Sequence, residues 1–99
     1  MNYQSLLKQA QSMQKKMMET KSKIDSTIFE GKSELITVNI TGKREVISVK
    51  IKEDVDLNNE DKEILEDMVM IAVNDALHKI DKEIETKLGS QAGGLSGLF

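Results

Sequence analysis

Hydrophobic positions in the first 26 residues recur at the spacing of an α-helix. One seam repeats every seven residues, and a second seam lies three residues further along. The two seams contain Tyr3, Ala10, Met17 and Ile24, and Leu6, Met13 and Thr20, respectively. At about 100° per residue these positions share one side of a helix, so the pattern predicts a helix over residues 2–25. Such a helix is not stable alone in water, so its apolar side needs a partner surface.

The period changes to two residues over positions 36–51, which is typical of β-strands. The alternating apolar residues are Ile36, Val38 and Ile40, followed by Ile47, Val49 and Ile51. Gly42 lies between the two segments and can supply the positive φ of a hairpin turn. A two-residue loop pairs Val38 with Ile47, and a four-residue loop preserves the same parity. In either register the apolar residues of both strands share one face, and we expect that face to be buried.

A second helix is predicted after a connector at residues 54–59. Asn58 or Asn59 is a natural N-cap there, and acidic residues follow in the first turn, where the helix dipole favours them. The helix is predicted to end near Leu88, with Gly89 in the usual stop position. Its apolar side contains Leu65, Val69, Ala72, Val73, Ala76, Ile80 and Ile84.

The order of these elements predicts one α+β domain. A short strand at residues 27–30, ending at Gly31, completes a three-stranded antiparallel sheet between the two helices (αβββα). We expect this single domain to cover residues 1–88. Residues 89–99 are glycine-rich, and we expect them to form a disordered tail.

The second helix has six consecutive apolar residues, at positions 68–73. Their side chains point in nearly all directions around the helix, so they cannot all lie on one packed face. A monomeric two-layer fold covers one side of a helix, so this run predicts a homodimer. The interface residues predicted on this basis are Met68, Val69, Met70, Ile71 and Val73. The methionines have two interpretations, as flexible core filling or as an adaptable partner surface, and the two coincide if the partner is a second copy.

Composition narrows the class of protein. The chain has no cysteine, which excludes disulfides and thiolate metal sites and is typical of a reducing compartment. No apolar run approaches the roughly 18 residues of a membrane span, and no signal peptide is recognisable, so we expect a cytoplasmic protein.

His78 is the only histidine and is expected at the surface. The acidic cluster at residues 60–67 is interpreted as a helix N-terminus and not as a metal site. We therefore expect no catalytic residues, no metal, no cofactor and no small-molecule substrate.

The charge is unevenly distributed along the chain. The net charge is −3, but residues 1–26 carry five lysines and two acidic residues, whereas residues 59–99 carry four basic and nine acidic residues. Four lysines of the first helix fall within about 100° of each other, opposite the apolar seams. They are Lys8, Lys15, Lys16 and Lys23. This stripe is interpreted either as an ordinary solvated face or as a surface that contacts phosphates. It has no aromatic residues for stacking on single strands.

These segments resemble the YbaB/EbfC family of bacterial nucleoid-associated proteins. The resemblance covers about residues 5–88. It is carried by LLKQAQ at 6–11 and MQKKM at 13–17, by the hairpin around residues 38–51, and by DKEILED at 61–67 and AVNDA at 72–76. The chain departs from the family in lacking extra glycines at residues 32–34 and in having no proline in its tail.

The resemblance implies a tweezer-like homodimer that binds double-stranded DNA, organises the nucleoid and influences transcription. It implies a location in the cytoplasm, at the nucleoid. No family motif assigns DNA contacts to particular side chains, so the four lysines are identified by their geometry alone. The alternative hypothesis is a protein–protein interaction module whose paired helices hold a partner, with DNA binding incidental.

Overall fold

The chain folds as a helix, a three-stranded antiparallel sheet and a second helix, as predicted. A computed structural model describes residues 2–58 and 61–89. The elements are α1 (Tyr3–Ser26), β1 (Ile28–Lys32), β2 (Ile36–Thr41), β3 (Val46–Ile51) and α2 (Lys62–Leu88). The strands are arranged in the order β1-β2-β3. The predicted tail, apart from Gly89, lies outside the described residues.

Helix α1 matches its predicted bounds to within one residue. The side chain of Asn2 caps its N-terminus by accepting a hydrogen bond from the Gln4 backbone N–H at 2.9 Å. Only its last turns pack against the rest of the chain, since Ile24 is buried and Met17 is half-buried. The preceding half, including Tyr3, is exposed.

Helix α2 packs closely on the first two strands. The alternation predicted for β2 is confirmed, because its three isoleucine and valine side chains are buried. They face Ala72, Ala76 and Ile80 of α2, all with no exposed surface. A Cβ at Gly31 in β1 would collide with the Ala72 carbonyl oxygen. The small residues on both elements therefore allow the helix to lie directly on the sheet.

The register of the hairpin corresponds to the four-residue loop. Val38 pairs with Val49, and the Val38–Ile47 pair of the two-residue loop does not form. A bulge between Asn39 and Ile40 shifts the register near the turn. The prediction of a positive φ at Gly42 is wrong. The residue of the turn that has a positive φ is Arg44, with φ 70°. Glycine is needed at position 42 for another reason, because a Cβ there would collide with the backbone of α1.

The burial predicted for β3 is wrong within the single chain. All six of its residues are exposed, and Val49 and Ile51 are 50% and 43% exposed. They lie on the same face as their partners on β2. However, among the described elements α2 contacts β1 and β2 but not β3. The helix therefore covers β1 and β2 and leaves β3 uncovered.

Two element boundaries also differ from prediction. Asp61, and not Asn58, caps α2, and its side chain accepts a hydrogen bond from the Glu63 N–H at 2.8 Å; Asn59 lies outside the described residues. Strand β1 continues through Gly31 to Lys32 instead of ending at the glycine. The helix end was predicted correctly, since Gly89 follows Leu88 with φ 56°.

Polar contacts fix α2 along β1. A carboxylate oxygen of Asp75 accepts a hydrogen bond from the Lys32 backbone N–H at 2.9 Å. Lys79 Nζ donates to the Glu30 carbonyl oxygen at 2.7 Å and lies 3.4 Å from the same carboxylate. The hydrogen bond from Lys32, assisted by the charge of Lys79, lowers the pKa of Asp75 below its ordinary value of 3.8.

We expect Val38→Asp to abolish folding. The substitution places a carboxylate in a fully buried position, which costs several kcal/mol, whereas a domain of this size has about 5–15 kcal/mol in total. The matched control is Thr37→Asp, which lies on the opposite face beside Lys50. Thermal melts followed by circular dichroism test this: the control should melt cooperatively, and a similar melt for Val38→Asp would contradict the assigned core.

We expect Asp75→Asn to remove part of the pH dependence of stability. A carboxylate whose pKa is lowered by folding stabilises the native state above the ordinary value of 3.8, and this stabilisation is lost as the pH falls through the native pKa. The wild type should therefore exceed the variant in stability near pH 7, and the difference should shrink below about pH 4. Denaturant unfolding from pH 3 to 7 measures this, and a constant difference would contradict it.

Candidate nucleic-acid interface

The four lysines predicted to contact DNA lie on one exposed side of α1. Lys8, Lys15, Lys16 and Lys23 are all exposed, and the continuous helix between them keeps them in one sector. At 1.5 Å per residue the stripe from Lys8 to Lys23 is about 22 Å long. The structure thus places these four side chains in one row and leaves their ammonium groups accessible.

The remaining lysine of α1 is held differently. Lys21 Nζ lies 2.7 Å from Asp25 Oδ2, and both side chains are largely buried. This ion pair spans one turn of the helix and neutralises both charges locally. Lys21 therefore does not add to the row.

Helix α2 adds a lysine that the sequence analysis missed. Lys87 lines a groove between the two helices together with Lys16, and it lines an adjoining groove together with Lys23. Glu83 lies 3.9 Å from Lys87 and offsets part of its charge. Lys87 is in the last turn of α2, and nothing in the local sequence relates that turn to α1. Only the packing of the helices reveals this basic cluster.

The acidic residues at the N-terminal end of α2 are far from this cluster. Asp61, Glu63, Glu66 and Asp67 lie in the first turns of the helix and are exposed. Asp67 and Lys87 are separated by about 30 Å along the helix axis. The net charge of −3 therefore does not describe the surface beside α1, which is locally basic.

The five residues predicted to form a dimer interface divide into two groups. Met68, Val69 and Val73 are half-buried and pack against the core of their own chain. Met70 and Ile71 are 56% and 48% exposed. The single chain therefore uses three of these residues for its own folding and leaves two available to a partner.

The described residues also bear on metal binding and on membrane insertion. His78 is exposed, as expected. Among residues 2–58 and 61–89, no group of three or more His, Cys, Asp or Glu side chains is arranged to hold a metal ion. Neither described helix is long and apolar enough to cross a membrane.

Comparison with known proteins identifies relatives over almost the whole chain. The chain is 50% identical over 97 residues to a nucleoid-associated protein of Lactococcus lactis, covering 96% of this chain and 97% of the relative. It is 42% identical over 96 residues to a nucleoid-associated protein of Rickettsia prowazekii, covering 96% and 90%. The crystal structure of an uncharacterized protein from Helicobacter pylori matches with a TM-score of 0.69 and 24% identity, over 87% of this chain and 91% of that one, and supports the fold.

The family comparison agrees with the relatives. The model of the YbaB/EbfC DNA-binding family matches residues 1–95, which include every helix and strand described above. This is a family of DNA-binding proteins. The chain therefore belongs to the YbaB/EbfC DNA-binding family.

Proposed function

We propose that this protein binds double-stranded DNA as a homodimer, mainly through phosphate contacts made by the α1 lysines and Lys87. In this proposal it acts in the cytoplasm at the nucleoid, where it contributes to nucleoid organisation and influences transcription. The observation that carries the proposal is the exposed row from Lys8 to Lys23, which is joined across the helix–helix groove by Lys87. The nucleoid-associated relatives support the location.

The chemistry of this surface favours duplex DNA over single strands. Phosphate contact requires only positive charge and reach, which lysines supply. Binding of single strands commonly relies on aromatic side chains on which bases stack. The aromatic residues within the described part of the chain are Tyr3, on the apolar seam of α1, and the buried Phe29. We therefore propose binding with little discrimination between sequences, since phosphate contacts position a protein without reading bases.

A homodimer would double the basic surface. Each copy contributes four lysines from α1 and Lys87 from α2, while Glu19 and Glu83 offset part of the charge. Neutralising about 4–6 phosphates gives a slope of log affinity against log salt of about −4 to −5.

A second function is favoured by a specific observation. The exposed half of α1 presents apolar side chains that have no packing role in the single chain, including Leu6, Leu7 and Met13, which are 48%, 47% and 53% exposed. Such a surface would suit a protein–protein interaction module that holds a partner helix. A titration with plain duplex DNA at several salt concentrations separates the two functions. A DNA-binding protein should bind the duplex with an affinity that falls systematically as the salt concentration rises, whereas a protein-binding module should show no such affinity for DNA.

We expect the double substitution Lys15→Glu/Lys16→Glu to weaken duplex binding by at least tenfold and to make the salt slope shallower. The helix and the oligomeric state should be unchanged, since both side chains are exposed. The matched control is Lys62→Glu/Lys82→Glu, which has the same charge change on α2. Lys79 is unsuitable as a control, because it bonds the Glu30 carbonyl oxygen.

Fluorescence anisotropy with one duplex at four or five salt concentrations measures both quantities. Circular dichroism and sedimentation confirm that each variant is folded and assembled. Unchanged affinity and slope for the Lys15/Lys16 variant would show that the α1 stripe is only a solvated face.

We expect Lys87→Gln to reduce the salt slope by about 1 for each copy that contacts DNA and to weaken binding equally for duplexes of different sequence. The physical reason is the loss of a charge flanked by Lys16 and Lys23. Lys43→Gln, in the hairpin turn, is the control. A similar effect of both substitutions would contradict a specific role for Lys87.

A further inference from the structure

The first half of α1 presents an apolar face that the other described elements leave uncovered. On this face Tyr3, Leu6 and Met13 are 77%, 48% and 53% exposed, and Ala10 is exposed between them. The four residues recur at intervals of three or four positions, which places them on one side of the helix. Among residues 2–58 and 61–89, α1 contacts α2 and β2, and only its last turns take part in this packing.

Helix α2 ends beside the middle of α1 and runs antiparallel to it. Leu88, the last residue of α2, lines a groove together with Met13 of α1. Just over one turn earlier, Glu83 lines the adjoining groove together with Ile24. Later residues of α2 therefore lie beside earlier residues of α1. Continued past its last residue, the axis of α2 follows the uncovered apolar face towards the N-terminus of α1.

The chain leaves α2 at the edge of this face. Gly89 has φ 56°, and its N–H donates to the Glu85 carbonyl oxygen at 2.7 Å at the end of the helix. The next ten residues read SQAGGLSGLF. They carry no charged side chain, and their large apolar side chains are concentrated at the far end, at Leu95, Leu98 and Phe99.

The spacing of these apolar residues matches the uncovered face. Position 95 is six residues beyond Gly89, a distance that an extended chain spans up to about 20 Å. Packed helix axes are only about 8–10 Å apart, so Leu95 is within reach of Ala10. From Leu95 to Phe99 an extended chain spans about 13 Å, and Ala10 and Tyr3 are about 10 Å apart along the helix axis.

We propose that residues 95–99 fold back on the apolar face of α1 in the same chain, antiparallel to the helix. In this arrangement Leu95 packs beside Ala10, and Phe99 packs beside Tyr3. The inference goes beyond the proposed function and does not rest on DNA binding, because the lysine row lies on the opposite side of α1.

The short connection favours this segment as the occupant of the face. A segment tethered by so few residues is present at an effective concentration of about 1 mM, whereas a separate partner must diffuse to the same face. Because the segment has no charged side chain, its docking removes no ion from water. Glycines alone predict disorder here, but the apolar end of the segment has an apolar surface within reach, and burying the two together is favourable.

Thiol accessibility tests whether the segment covers the face. The chain has no cysteine, so Ala10→Cys introduces a single thiol at the centre of the face. Ser12→Cys is the matched control, because at about 100° per residue it lies on the opposite side of the helix. Each cysteine is alkylated in the natural sequence and in a variant that also carries Leu95→Asp/Leu98→Asp. Comparing each cysteine with itself cancels the effect of nearby lysines on its reactivity.

We expect Leu95→Asp/Leu98→Asp to accelerate alkylation of Ala10→Cys by about tenfold or more and to change that of Ser12→Cys by less than about twofold. Ser90→Asp/Gln91→Asp adds the same charge outside the docking residues and should accelerate neither. Alkylation of Ala10→Cys that is slow whether or not the leucines are replaced would show that a second copy or another partner covers the face. Alkylation as fast as in denaturant for both sequences would show that the face is open. Either result would overturn the proposal.

Disulfide trapping tests the placement of the segment and the chain to which it belongs, and it leaves Leu98 and Phe99 in place. Under mild oxidation, Ala10→Cys/Leu95→Cys should form a disulfide within one chain, which migrates as a monomer of increased mobility on a non-reducing gel. Ser12→Cys/Leu95→Cys should oxidise about tenfold more slowly or less, since its thiols are on opposite sides of a helix about 10 Å across. Equal rates for the two pairs, or a disulfide that joins two chains, would contradict docking within the chain.

Discussion

The close contact between α2 and the backbone of β1 determines which strands of the sheet the helix covers and which strand it leaves exposed. Gly31 has no side chain to hold the helix away, and Ala72 and Ala76 allow it to approach until the atoms touch. The hydrogen bonds made by Asp75 and Lys79 then fix the helix along β1. A helix centred on β1 and β2 cannot also cover β3. The uncovered edge strand is thus a direct result of the contact that forms the core.

The same helix position assembles the basic surface. Because α2 lies across the sheet with its C-terminal turn beside α1, Lys87 joins Lys16 and Lys23 around the helix–helix groove. The acidic residues in the N-terminal turns of α2 are held about 30 Å away, whereas Glu83 lies 3.9 Å from Lys87 and offsets part of its charge. A lysine near a helix C-terminus is also favoured by the helix dipole. The packing of α2 therefore places the lysine cluster and the acidic first turns of α2 at different ends of the helix, a separation that the net charge of the chain does not show.

Periodicity predicted the elements because it reflects local geometry. The helical period of α1, the alternation of β2 and the stop at Gly89 depend on neighbouring residues, and the helix, the strand and the stop were confirmed. The features that were missed depend on contacts between distant segments. Alternation in β3 showed which side chains share a face, but not that α2 stops short of that face. Gly42 was assigned to the turn, whereas its lack of a side chain is required by the backbone of α1. The place of Lys87 in the basic cluster could not be predicted from the sequence, because the lysines near it, Lys16 and Lys23, belong to the other helix.

A chain with a net charge of −3 is compatible with the proposed binding of DNA because electrostatic interactions in cellular salt are short-ranged. The Debye length is about 8 Å at physiological ionic strength. A phosphate beside α1 therefore interacts with the lysines next to it, partly offset by Glu19 and Glu83, while the acidic residues in the first turns of α2, about 30 Å away, are largely screened. In the proposed homodimer a second basic surface is added. Two weak phosphate-binding surfaces on one rigid body bind more tightly than either alone, because the second contact is made at high effective concentration. In this proposal dimerisation matters for function because it joins two locally basic surfaces on a protein that is acidic as a whole.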